Sequence, residues 1–289
     1  MDLTSASEIK RLLSAHGLSP RKRFGQNFLV DRNVLNRIVD ACGLESEDSV
    51  LEIGPGLGVV TRELAQRCAR AVCVEVDRGF QPILEEVLSD AGSAEVVIAD
   101  FLDLDLPEFL QARYEGKWHV VANVPYYITS PIIARIIDAR RHVSHALLMI
   151  QREVAGRLRA APASQDYGAL SVFVQFYCHV QSVMKVSKNV FYPIPEVDSE
   201  LVDLKIREHP AAEVRDEELF FRIVKAAFGK RRKTLLNALS SSSELGWDKD
   251  TAAAALESAG IDGTRRGETL SIQEFAAVAD AGGTAAGAH

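Results

Sequence analysis

The segment Val50-Leu-Glu-Ile-Gly54-Pro-Gly56-Leu-Gly58 constrains this chain more than any other. An apolar run that must be buried passes into three glycines at alternate positions and then into a helix-forming stretch. A turn of this kind lets backbone pass close to whatever lies over the strand end, with no side chain in the way. Strand, turn and helix in that order belong to a mainly parallel sheet covered by helices on both faces. A nicotinamide-type fingerprint needs its third glycine at position 59, where this chain has Val59; its third glycine is Gly58. Glu52, at the strand end, would repel a pyrophosphate and suits a ligand carrying a cationic amine. Glycines alone also serve a purely structural turn, so the segment fixes a local shape before it fixes a ligand.

The rest of the chain repeats the alternation. Strands are expected at Ser49–Ile53, Ala71–Glu75, Val96–Ala99, Trp118–Ala122 and His145–Ile150. Helices are expected at Val59–Arg67, Phe80–Leu88 and Pro131–Asp138, the last with Ser130 as N-cap and Pro131 in its first position. Two late strands, His179–Val186 and Leu201–Ile206, have no long helix between them and can pair antiparallel. Ahead of the glycine segment, a helix from Ser5 to Ala15 has Ser5 and Glu8 in capping-box spacing, and another runs from Asp31 to Cys42. Beyond Arg207 only helical patterns occur: Asp216–Ser240, Asp248–Ala259 and Ser271–Val278, with Ser271 and Glu274 as a second capping box. The small-residue tail from Ala281 to His289 is expected to be disordered.

The net charge of −7 argues against a polyanionic partner, but the charges are not evenly spread. Residues 222–233 carry six basic residues and no acid, including Lys230, Arg231, Arg232 and Lys233. Residues 135–159 carry six arginines against two acids, and Arg21, Lys22 and Arg23 form a third cluster. Each cluster alone also reads as a solvated face; three together suit a surface that follows phosphates. Four cysteines at irregular spacing, with no C-x-x-C pair, suggest buried thiols in a reducing compartment and no metal site. With no long apolar run and no signal-like start, the chain is expected in the cytoplasm, away from membranes.

Three consecutive strands end in polar or glycine positions that suit a nucleoside. Gly54 and Gly56 follow the first. Glu75 ends the second, 21 residues beyond Gly54, at the distance where a carboxylate reaches ribose hydroxyls. Asp100 ends the third and can accept from an adenine amine. The fourth strand ends in Asn123-Val124-Pro125-Tyr126. An exocyclic adenine amine is a poor nucleophile because its lone pair is delocalised into the ring. The Asn123 side-chain oxygen and a backbone carbonyl held by Pro125 can accept from its hydrogens and aim the lone pair, while Tyr126 stacks on the base. The expected chemistry is therefore methyl transfer from S-adenosylmethionine, driven by orientation and electrostatics rather than by a strong base. The expected fold is α/β: a Rossmann-like methyltransferase sheet with helices on both faces over residues 1–207, then a small all-helical RNA-binding domain over 208–289.

At these residues the chain resembles the ribosomal RNA adenine N6,N6-dimethyltransferases, closest to the small-subunit (16S) type. The resemblance rests on Phe24-Gly-Gln26-Asn27-Phe28-Leu29, Glu52-Ile-Gly54-Pro-Gly56-Leu-Gly58, Asn123-Val-Pro125-Tyr126-Tyr127-Ile128, Asp166-Tyr167-Gly168-Ala-Leu-Ser171, Phe191-Tyr-Pro193-Ile-Pro195-Glu-Val197-Asp198-Ser199 and Phe228-Gly-Lys230-Arg231-Arg232-Lys233-Thr234-Leu235, in family order. It implies that Gln26, Asn27 and Leu29 close over the methionine end of the cofactor, that Gly54 lies against it, and that Glu75 and Asp100 hold its ribose and adenine. Asn123 would contact both cofactor and target amine, and Phe191 would pack the target base opposite Tyr126. The implied product is N6,N6-dimethyladenosine at two adjacent adenosines near the 3′ end of small-subunit RNA; the expected partners are that RNA, naked or in the assembling small subunit, and the chain is expected to be a monomer. Val124 stands where the family prefers Leu or Ile, and Glu196 where it commonly has Lys, which puts an RNA contact by that side chain in doubt.

The rival readings are a large-subunit (23S) enzyme of the macrolide-resistance type and, from another class, a non-catalytic assembly factor. Tyr127-Ile-Thr129-Ser130-Pro131 and Tyr167-Gly168 favour the small-subunit type, and the intact Asn123 and Tyr126 argue against an assembly role alone. A DNA adenine methyltransferase usually carries two prolines before its aromatic residue. A protein glutamine methyltransferase would have no use for Arg231, Arg232 and Lys233.

Overall fold

The computed structural model describes residues 3–21, 25–230 and 232–286; Lys22, Arg23, Arg231 and the Tyr126 side chain, all expected at the site or its RNA surface, lie outside the described residues. In chain order the regular elements are α1 (Ala6–Ala15), β1 (Phe28–Leu29), α2 (Arg32–Ala41), β2 (Ser49–Ile53), α3 (Val59–Ala65), β3 (Arg70–Glu75), α4 (Gln81–Val87) and β4 (Ala94–Ile98). There follow α5 (Leu106–Gln111), β5 (Trp118–Asn123), α6 (Thr129–Asp138), β6 (Val143–Gln151), α7 (Arg152–Arg159), α8 (Ala169–Tyr177), β7 (Cys178–Val186), β8 (Phe191–Tyr192) and β9 (Ser199–Ile206). The last four are helices: α9 (Glu217–Gly229), α10 (Leu235–Ser240), α11 (Lys249–Ser258) and α12 (Ile272–Ala286).

Seven strands form one sheet in the order β4-β3-β2-β5-β6-β9-β7. The first five are parallel, and β9 runs antiparallel to β6. The late strands β7 and β9 are neighbours, as their spacing suggests. From β2 the chain builds outward through β3 and β4, then returns to add β5 on the other side of β2. That reversal leaves a crevice at the carboxyl ends of β2 and β5, where open α/β sheets bind ligands. All five positions of β2 are buried, as a strand covered on both faces requires. The Rossmann-like class read from the sequence is the fold of this chain.

Two compact units account for the contacts: residues 1–155 with 180–206, and residues 156–179 with 207–289. The sequence predicts a single boundary near 208; the chain instead passes between the units at three points. An aromatic cluster accounts for the place of 156–179 in the second unit. There Phe176 packs on Phe220 at 4.7 Å and on Phe221 at 5.3 Å between ring centroids, and Tyr177 donates to Glu217 at 2.6 Å. Tyr167 of the same segment donates to the Leu270 carbonyl at 2.9 Å. These contacts bury α8, which has no counterpart among the elements expected from the sequence.

Other differences have local causes. The helix expected over 216–240 breaks at 230–234. Its continuation, α10, is anchored separately, since the Leu235 and Leu236 amides donate to the Arg265 and Gly263 carbonyls at 2.6 and 3.1 Å. Lys230, Arg232 and Lys233 lie outside α9 and α10, in the connection between them rather than on a helix face. α6 begins at Thr129 because a 3-10 turn over Tyr126–Ile128 feeds directly into it, so Ser130 and Pro131 fall inside the helix. The Ser5 capping box does not form; the Ser5 hydroxyl meets the Ser7 hydroxyl at 2.8 Å. The Ser271–Glu274 box forms in both directions, at 3.2 and 2.8 Å. The tail does not fray at Ala281: α12 continues to Ala286, and Gly282 fits because a Cβ there would meet the Trp247 ring at 2.3 Å.

Candidate active site

The glycine-rich turn takes its shape from backbone angles that only glycine adopts easily. Gly54, Gly56 and Gly58 have φ of 69°, 56° and 77°. Their surroundings differ. A Cβ on Gly56 would touch the Phe28 ring at 3.2 Å and one on Gly58 the Leu84 side chain at 3.0 Å, whereas one on Gly54 would meet nothing within 4 Å. Gly54 faces open space, and that space is the cavity in the crevice between β2 and β5. Gln26, Asn27, Leu29, Gly54, Gly56, Glu75, Asn123, Pro125 and Phe191 all line it, so the structure brings together most of the residues singled out from the sequence.

Glu75 enters the cavity as a fixed acceptor. It is 5% exposed, and its two oxygens receive the Asp77 amide at 2.9 Å and the Gly56 amide at 3.2 Å. Burial pushes its carboxyl up from the usual range, and the backbone donors pull it back. Glu52 differs from expectation. It is 4% exposed, accepts from the Thr61 hydroxyl, and burial pushes it up to about 7. Near neutral pH it is only partly charged.

Asp100 does not line the cavity. Its side chain is exposed and accepts the Leu102 amide at 2.9 Å, capping the 3-10 turn after β4. The strand-end acid expected to meet an adenine is thus turned, by one of its oxygens, to the chain's own backbone.

At the other end of the cavity, Asn123 Nδ2 donates to the Asn27 carbonyl at 3.1 Å. A carbonyl can only accept, so this contact fixes the amide's orientation and turns Oδ1 away as an acceptor. The Pro125 carbonyl is engaged by the Ile128 amide at 3.1 Å and faces the Thr129 hydroxyl at 3.5 Å. That leaves the Val124 carbonyl, in the peptide bond that Pro125 stiffens, as the candidate backbone acceptor next to Asn123 in sequence. A second, small cavity opens here, lined by Asn27, Asn123, Pro125, Phe191 and Pro195. Asn123 and Phe191 border both cavities. Phe191 reaches this place through a two-stranded pairing of β1 with β8, Leu29 opposite Phe191, which two-residue strands do not announce in a sequence.

The family of ribosomal RNA adenine dimethylases matches residues 17–280. This chain belongs to that family. Its relatives include the ribosomal RNA small subunit methyltransferase A of Pelotomaculum thermopropionicum, 45% identical over 96% of both chains. Those of Moorella thermoacetica and Bacillus cereus are 46% identical over 92% of this chain and 94% of the other, and 43% identical over 97% of each. Among solved structures, the 23S rRNA methyltransferase ErmE superposes with a TM-score of 0.67 at 29% identity, over 88% of this chain and 99% of that one. A dimethyladenosine transferase from Plasmodium falciparum superposes with a TM-score of 0.75 at 24% identity, over 86% and 95%. As a member of the dimethylase family the chain is an enzyme, an rRNA adenine methyltransferase.

The residues expected to bind RNA fare unevenly in the described structure. Arg21 is held by Asp77, at 3.0 Å. Lys230 donates to the Ser241 hydroxyl at 3.1 Å, while Arg232 and Lys233 are exposed. In the arginine-rich stretch 135–159, Arg135 is spent on the Leu102 and Leu104 carbonyls. Glu196 is exposed, and its carbonyl accepts from Lys188 Nζ at 3.2 Å. Sequence reasoning missed Asp77, which reads as one more solvated acid after a strand, and Leu3 and Ile9, which line the cavity from the N-terminal segment.

Proposed function

We propose that this enzyme transfers methyl groups from S-adenosylmethionine to the N6 amines of two adjacent adenosines near the 3′ end of small-subunit (16S) ribosomal RNA, as part of small-subunit maturation. The observation that carries this reading is Asn123, fixed by the Asn27 carbonyl and standing between the large cavity and the small one. The large cavity suits the cofactor: Gly54 leaves it open, Glu75 presents a fixed carboxylate to a ribose, and Gln26, Asn27 and Leu29 border its other side. When bound, the cofactor would supply an electrophilic methyl group on a sulfonium, whose sulfur keeps the electron pair of the broken sulfur–carbon bond as a neutral thioether. The chain's own part is to orient the amine. Asn123 Oδ1 and the Val124 carbonyl accept its hydrogens, directing the lone pair toward the large cavity. Phe191 and Tyr126 hold the base, which must come from a single strand or leave its helix. As the nitrogen–carbon bond forms, the amine's proton passes to water.

The small-subunit target is supported by relatives of that name at 43–46% identity over nearly their whole length. The likeness to ErmE keeps a 23S target as the second reading. The partner is then the assembling small subunit, engaged by the basic residues of 230–233 and its companions. Four buried free cysteines accord with action in the cytoplasm. Reverse-transcription mapping of both rRNAs, from cells with and without the gene, tests the assignment. Loss of two adjacent stops in small-subunit RNA is the expected result; loss of a stop in large-subunit RNA overturns it.

A further inference from the structure

Asp77 lies two residues past Glu75 and is 5% exposed. A carboxylate so far out of water needs donors, and it has them. Arg21 Nη1 approaches both of its oxygens, at 3.0 and 3.1 Å; Gln26 Nε2 donates at 3.3 Å and the Gly79 amide at 3.1 Å. Its own amide donates to Glu75. Its two partners are also joined to each other, because the Arg21 amide donates to Gln26 Oε1 at 2.8 Å. Leu18, shortly before Arg21 in sequence, packs so close to the turn after β3 that a Cβ on Gly79 would come within 3.1 Å of it. One carboxylate thus ties together two walls of the large cavity that are distant in sequence.

We propose that Asp77, with Arg21, is a positioning residue for cofactor binding. It fastens the loop bearing Gln26 and Asn27 to the strand end bearing Glu75, so that both walls meet the cofactor in register. Arg21 then serves the cofactor site from within the fold rather than an RNA phosphate. The inference rests on the large cavity being the S-adenosylmethionine site. Asp77 and Arg21 need not touch the cofactor; they set the residues that do.

The test is calorimetric titration of the full chain with S-adenosylmethionine. The variants are Asp77→Asn, Asp77→Ala, Arg21→Gln and the Asp77→Ala/Arg21→Gln double, each with a thermal melt. Asp77→Ala and Arg21→Gln should each weaken binding roughly tenfold, the scale of one charge-assisted hydrogen bond. The double variant should be no weaker than Asp77→Ala alone, because both ends of one tie are then missing. Asp77→Asn, which keeps an acceptor for Gly79, should lose less. In turnover with assembling small subunits, the KM for the cofactor should rise by more than kcat falls. Because Arg21 is half exposed, Arg21→Gln carries the test even if Asp77→Ala does not fold. Additive losses, or an Arg21→Gln variant that keeps cofactor affinity but lowers the salt dependence of RNA binding, would overturn the proposal. A wild-type chain that binds no S-adenosylmethionine would overturn the cofactor reading itself, and that titration separates the two failures.

Discussion

The cofactor side and the target side of this site are built differently. Around Gly54, Glu75 and Asp77, acids are buried, their oxygens are met by backbone amides or an arginine, and three left-handed glycines set the path of the chain. Around Asn123 and the segment after Phe191, three apolar side chains stand in the open, Tyr127 at 63%, Ile194 at 61% and Val197 at 43%, against Val76, at 44%, on the cofactor side. A small ligand of one shape can be met by a finished surface. A base carried on a large RNA needs a surface that it completes itself, and isolated apolar groups beside a fixed amide provide one. Damage to the first side should therefore appear as weaker cofactor binding, and damage to the second as slower turnover or weaker RNA binding.

The sharpest contrast is at Asn123, which belongs to both sides. Replacing it by Ala removes the acceptor that aims the amine and frees the Asn27 carbonyl. Turnover at saturating substrates should fall by roughly 10²-fold or more, the scale seen when one oriented dipole at a reaction centre is removed. Single-turnover methyl transfer to assembling subunits measures it. A wild-type rate in a folded variant would refute the proposed chemistry. Glu75→Ala should act next most strongly, and on cofactor affinity rather than on turnover: losing a charged acceptor for the ribose hydroxyls costs on the order of 1.5–3 kcal/mol. Part of that loss will come from the Gly56 and Asp77 amides it leaves without their partner, so calorimetry must be read beside the thermal melt. Unchanged affinity would remove Glu75 from the site.

Glu52 tests whether burying an acid on the cofactor side costs stability. Its carboxyl is pushed up to about 7 by burial, against the Thr61 hydrogen bond. A carboxyl raised on folding binds its proton more tightly in the folded state. Its contribution is fully present below the unfolded value near 4.5 and is lost as pH rises through about 7. Unfolding free energy of the cofactor-free chain should thus decline across that window, by on the order of 3 kcal/mol. Glu52→Gln, still able to accept from Thr61, should remove this part of the decline and leave that of Glu75, whose carboxyl burial also raises. An identical pH profile in the variant would show that Glu52 is charged at no cost.

How much of the site is legible in the sequence follows the same division. The glycine turn, Glu75 and Asn123 are legible because backbone conformation and strand-end chemistry each demand a particular residue at a particular spacing. Asp77 is not, since nothing local separates a buried acid that receives an arginine, an amide side chain and a backbone amide from a solvated one. Phe191 is placed only by family resemblance: β1 and β8 have two residues each, too short for any periodicity. Asp100 is legible as a strand-end acid, yet its side chain is partly spent on capping a turn. The break at 230–234 is hidden because Phe228 and Leu235, on either side of it, stand seven residues apart, as on one helix face, and the separate anchoring of α10 comes from residues near 263–265. The order of α12 past Ala281 turns on Trp247, more than thirty residues away in sequence.

The smallest expected effect, and the one that best isolates the RNA surface, concerns the basic turn. Arg232 and Lys233 are exposed, and neither side chain is paired with an acid among the described residues. In a turn, unlike on a helix face, such side chains can reach in several directions, which suits phosphates more than a unique partner. Replacing both by Gln should lower affinity for RNA modestly and reduce the slope of log affinity against log salt by up to about 0.7 to 0.9 for each phosphate that is no longer neutralised. Cofactor affinity should stay as it is, and so should single-turnover methylation once RNA is saturating, because neither residue lies near Asn123 in sequence or lines either cavity. Filter binding over a salt series reads the slope, and calorimetry reads the cofactor. A slope equal to that of the wild type would make this turn a solvated surface and move the RNA contacts elsewhere. A fall in methylation at saturating RNA would break the division between the two sides, because a surface that only holds the polyanion would then be shaping the chemistry at the amine.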